Sequence, residues 1–91
     1  MKPSKRLNAA IMKIVANQLR SGDPPQTRQT YDRLKARGLP EDEVRRLLGC
    51  VVVNEIFEVL KQGKPYDAAR FVAALDRLPQ MPKEWDEPGA E

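Results

Sequence analysis

Between Val44 and Leu60 the chain reads VRRLLGCVVVNEIFEVL, with apolar residues too dense for a helix that keeps one face in water. At about 100° per residue, Val44, Leu47, Leu48 and Val51 make one stripe. Val52, Val53, Ile56, Val59 and Leu60 make a second, rotated by roughly a third of a turn. A helix whose apolar face swings in this way is packed by different neighbours at its two ends. It is either the central post of a small bundle or a post shared with a second copy.

The rest of the pattern predicts three more helices, and nothing alternates with the period of a strand. The first starts near Ser4, a suitable N-cap, and runs to Leu19 or Arg20, with Leu7, Ile11, Ile14 and Val15 on its apolar stripe. SGDPP stops it, because Gly22 suits a C-terminal turn and Pro24 and Pro25 forbid continuation. A second, weaker helix covers about Pro25 to Ala36 and offers only Thr27, Tyr31 and Leu34 inward. In ARGLP, Gly38 stands where a left-handed residue is wanted and Leu39 folds back as the hydrophobic contact. Pro40 opens the long helix, whose first turn carries Glu41, Asp42 and Glu43 in favour with the helix dipole. Gly63 ends it. Asp67 then begins a fourth helix, with Phe71, Val72, Leu75 and Leu78 inward, and Pro79 closes that one. The expected fold is therefore all-α, a small four-helix bundle with the third helix central. Residues 1–79 make one helical domain, and 80–91 a Pro-rich acidic tail without periodicity, expected to be mobile unless Trp85 tacks it down.

At 91 residues the core is modest, and a partner subunit would add burial. A hydrophobic content of 41% with 32% charge belongs to globular chains. The single cysteine cannot form an internal disulfide. Lys13 and Asn17 interrupt the apolar run of the first helix, which argues against a signal peptide or a membrane span and gives a cytoplasmic expectation.

The net charge of +3 conceals an asymmetry. Residues 1–46 hold eleven Lys and Arg against five Asp and Glu, whereas residues 47–91 hold five against eight. Lys2, Arg6, Lys13 and Arg20 line up on the polar face of the first helix and are the candidate contacts for a polyanion. The acidic end, EWDEPGAE, is equally able to mask that basic front.

Candidate chemistry is thin. Histidine is absent, which removes the commonest general base and the commonest metal ligand together. No metal and no cofactor are expected. Cys50, flanked by valines, reads as a buried structural thiol. Gly49 before it suits close approach by another helix. Glu55 and Glu58 read as a solvated pair or as partners for Lys and Arg. Gln18 sits on the apolar stripe near the end of the first helix, where a buried amide must find partners. It either ties down the SGDPP loop or joins Asn54 and Glu55 in a buried polar cluster. The segment TYDRLKARGLPEDEVRRLL has helix-turn-helix proportions, but its second helix would lead into the groove with three acids.

The stretches QLRSGDPPQTRQTYDRLKARGLPEDEVRRLLG and EIFEVLKQGKPYDAARFVAALDRLP resemble a group of small bacterial all-helical domains of unknown function. The shared marks are a Gln ending the first helix, a G-D-P turn, an R-L-x-x-x-G-L helix end and an E-I-[FY] stretch before a Pro-containing loop. The likeness spans residues 7–79. The group carries a His and a Glu four apart in its first helix and a His in its third, where this chain has Met12, Ala16 and Arg46. The resemblance thus implies the fold and brings no activity with it.

The expected function is that of a non-catalytic helical interaction module or small accessory subunit. A homodimer or a small protein partner is expected, with Gly49, Val53 and Phe57 at the contact. The alternative is a nucleic-acid-binding accessory protein that uses the basic N-terminal half.

Overall fold

The computed structural model describes residues 5–63 and 65–80. Four helices follow one another: α1 (Lys5–Ser21), α2 (Pro25–Ala36), α3 (Glu41–Gln62) and α4 (Ala68–Arg77). There is no strand among the described residues. The expected cap at Ser4, the cation Lys2 and the tail from residue 81, Trp85 included, lie outside them.

The helix ends follow the punctuation. Gly22, Gly38 and Gly63 all hold positive φ, the conformation that a side chain disfavours. At the end of α2, the amide of Gly38 donates to the carbonyl of Lys35 and that of Leu39 to Leu34, which satisfies two terminal carbonyls. Leu39 folds back against the core, as its position predicts. Pro24 and Pro40 precede α2 and α3 in extended conformation. Asp67 caps α4 by accepting from the amides of Ala69 at 3.0 Å and Arg70 at 3.2 Å.

Helix α3 touches all three others. Residues 47–53 are buried without exception, and seven consecutive residues occupy every azimuth of a helix. The centre of α3 is therefore enclosed on all sides. Ile11, Val15 and Leu19 of α1, Leu34 of α2, and Phe71 and Leu75 of α4, with Leu78 just beyond it, complete the core. Val72, expected inward, is only half-buried.

Helix α2 is short of apolar material. It buries Thr27, Thr30 and Leu34, and each threonine hydroxyl is satisfied: Thr27 donates to Gln18 Oε1 at 2.9 Å, and Thr30 to the carbonyl of Gln26 at 2.8 Å. The guanidinium of Arg33 reaches across to α4, donating to the carbonyls of Leu75 (3.0 Å) and Leu78 (2.8 Å). It thereby caps the end of a helix more than forty positions away.

Candidate interaction surfaces

Because the chain wraps its own central helix, Gly49 and Val53 are buried inside the bundle. A second copy could touch them only if the bundle opened, so the structure takes Gly49 and Val53 out of the expected contact. Phe57 is half-buried, packed on the margin of the core. Leu60 is 75% exposed, and Tyr66, a few residues further on, is 57% exposed. Leu60 follows Val53 by seven residues, within about 20° on the same side of the helix. The stripe that is covered at Val53 thus continues outward through Phe57 to Leu60, where cover has run out. With 22 residues, α3 is the longest of the four helices. Sequence reasoning placed Leu60 in the second stripe without marking it as exposed. The available signal was its place in the last turn, next to Lys61, Gln62 and Gly63.

Gln18, Asn54 and Glu55 each make hydrogen bonds to a different part of the bundle. Gln18 accepts from Thr27 and so joins the end of α1 to the first turn of α2 across the SGDPP loop. Asn54 donates to the carbonyl of Cys50 one turn back, at 2.8 Å. Glu55, only 9% exposed, accepts from Arg70 Nε at 2.9 Å and Nη2 at 2.6 Å, and from the amide of Asp67 at 3.4 Å. That forked pair ties the start of α4 to α3 and holds the Arg70 guanidinium above its ordinary pKa. Glu58 accepts from Gln62 instead.

The acids at the start of α3 are also engaged. Glu41 accepts from the Tyr31 hydroxyl and from Arg45, and Lys35 stands 3.7 Å away. Arg46 grips Glu43 with Nε at 3.0 Å and Nη2 at 2.6 Å. The Tyr31 hydrogen bond, with Arg45 second, lowers the pKa of Glu41, and the Arg46 hydrogen bond lowers that of Glu43. Carboxylates depressed in the folded state stabilise it above their unfolded pKa, and that contribution is lost as pH falls through the folded value. Thermal melts should therefore show a loss of stability as pH falls below about 4.5. Glu41→Gln should flatten part of that acid limb. An acid limb identical to that of the parent chain would mean that the Tyr31–Glu41–Arg45 contacts carry no stability.

The cations of α1 are different. Arg6, Lys13 and Arg20 are all exposed, as is Lys5. The 17 residues of α1 contain no acid. Arg20 is held by Asn17 Oδ1 at 2.7 Å. The helix-turn-helix reading, in contrast, meets an acidic tip: the part-exposed first turn of α3 presents Glu41, Asp42 and Glu43, while the centre of the helix is enclosed. Cys50 is fully buried. Met12 and Ala16 are half-buried on α1, and Arg46 is committed to Glu43. No group of three or more His, Cys, Asp or Glu that could hold a metal ion occurs among the described residues. None of their helices is long and apolar enough to cross a membrane.

Compared with known proteins, the chain matches no family model, no curated protein and no solved structure.

Proposed function

We propose that this protein is a non-catalytic interaction module that associates with a second copy of itself through the free end of α3. The observation that carries this reading is the exposure of Leu60 on the same line as the buried Val53. Tyr66 and the half-buried Ile56, Phe57 and Val59 surround that position in sequence. An apolar stripe that leaves its own core unsatisfied gains burial by meeting another such stripe. In a two-fold contact the same patch serves both chains, so no second apolar surface is required. That suits a chain whose two exposed large hydrophobic residues, among those described, both lie at this end. The patch is small, so the expected association is weak and reversible rather than obligate.

Sedimentation equilibrium from micromolar to millimolar concentration is the test. The apparent mass should rise above 10.3 kDa with concentration. Leu60→Glu should return it to the monomer value while leaving the thermal melt unchanged. A mass of 10.3 kDa at every concentration would overturn the reading.

A further inference from the structure

We propose that the outer face of α1 binds the phosphodiester backbone of duplex DNA, without reading its sequence. Four cations, Lys5, Arg6, Lys13 and Arg20, stand exposed on a helix that has no acid. None of them has a carboxylate partner among the described residues. Several other cations have carboxylate partners, Arg28 with Asp32, Lys35 and Arg45 with Glu41, Arg46 with Glu43, and Arg70 with Glu55, whereas the scattered Arg37, Lys61 and Arg77 have none among the described residues. The positive excess of the first half of the sequence is thus concentrated by folding. The cations of α2 and of the start of α3 are largely answered locally, and those of α1 are left for something outside.

The spacing fits a rod of negative charge. Arg6, Lys13 and Arg20 recur every seven residues, so they drift by only about 20° per step along one side of the helix. At a rise of about 1.5 Å per residue, the row is roughly 21 Å long. Duplex DNA carries a phosphate about every 3.4 Å along each strand, so a row of this length can reach several.

The residues between the cations narrow the choice of partner. Ala9, Ala10, Asn17 and Ser21 are the other exposed side chains of α1, all small or polar. With no large apolar group outward, the face has nothing to insert into a lipid surface. It also has no aromatic ring to stack on an unpaired base, which argues against single strands. Tyr31 is engaged elsewhere, with Arg28 over its ring at 5.1 Å and its hydroxyl on Glu41. Asn17, the one exposed amide of α1, has its Oδ1 taken by Arg20, so a single amide NH2 and the Ser21 hydroxyl are all the face offers besides charge to read a base edge or a ribose hydroxyl. What is left is charge, held on a rigid helix whose other face is anchored in the core.

The test is fluorescence anisotropy of a labelled mixed-sequence DNA duplex with the full chain at 50 to 200 mM salt. With four phosphates neutralised, the logarithm of affinity should fall with the logarithm of salt at a slope near −3.6, about a hundredfold over that range. Arg6→Gln, Lys13→Gln and Arg20→Gln together should bring the slope to about −0.9 and leave only a fewfold dependence. These positions are exposed, so the thermal melt should not move. Lys61→Gln, on the far end of α3, should leave both affinity and slope as they are. A duplex of scrambled sequence should bind equally. The proposal is overturned if there is no binding at 50 mM salt, or if Lys61→Gln weakens binding as much as the triple substitution. It is equally overturned if a matched RNA duplex binds tenfold more tightly, or if phosphatidylserine vesicles capture the chain while the duplex does not.

Discussion

Replacing Val53 by Glu is expected to unfold the protein. Val53 has no solvent exposure and lies in the turn of α3 that is enclosed on every side. A carboxylate there is either charged without a partner or neutral only after a large rise in its pKa, and both routes cost several kcal/mol. The longer side chain must also displace neighbours that already fill the space. A domain of this size is stable by only about 0.05–0.15 kcal/mol per residue, so the cost takes most or all of the margin. Circular dichroism of Val53→Glu should show loss of helix at room temperature. Val53→Ala, which leaves only a small cavity, should remain helical with a lower melting temperature. A folded Val53→Glu monomer would place this residue on a surface and reinstate it as an interface position.

Removal of the Glu55 carboxylate should have the second-largest effect. Its two oxygens hold the Arg70 guanidinium and the amide of Asp67, so they fix the first turn of α4 on α3. Glu55→Ala leaves Arg70 against the helix without its counter-charge and frees the connection that precedes α4. The melting temperature should fall on the order of 10 °C, as is usual when one partner of a largely buried pair is deleted from a small domain. Replacing both partners at once, Glu55→Met with Arg70→Leu, should recover most of the loss, because no unmatched charge then remains. A double-mutant cycle by thermal melts, with Glu55→Met and Arg70→Leu measured singly and together, gives this coupling. Strictly additive single effects would show that the pair contributes nothing as a pair.

Helix boundaries were legible because they are written in residues with restricted backbones. Gly38-Leu39, Pro40, Gly63 and Asp67 act within a few positions of themselves, and each does what its local chemistry dictates. The central place of α3 was legible for a similar reason, since a helix without a polar side has to be enclosed. Contacts between distant segments were another matter. That Glu55 meets Arg70, and that Arg33 reaches the carbonyls of Leu75 and Leu78, depends on how α4 lies across the bundle, which no single helix pattern encodes. The bond from Thr27 to Gln18 depends in the same way on how α2 lies against α1, whereas that from Asn54 to the carbonyl of Cys50 stays within one helix. An azimuth says which way a side chain leaves its own helix, not which neighbour receives it. The open end at Leu60 was missed because a stripe does not reveal where its cover stops.

The shortage of apolar residues in α2 has a consequence for how the bundle responds to cold. Burial of hydrocarbon loses strength on cooling, because its driving force near room temperature is entropic and carries a large heat-capacity change. Helix α2 contributes Leu34, two threonines and the half-buried ring of Tyr31 to that burial, and adds hydrogen bonds through Thr27, Tyr31 and Arg33. As temperature drops, the apolar seam between α3 and α1 slackens most, while the polar tethers of α2 and the Glu55–Arg70 fork between α3 and α4 keep their hold. Chilled, the molecule leans increasingly on these few polar contacts between its helices.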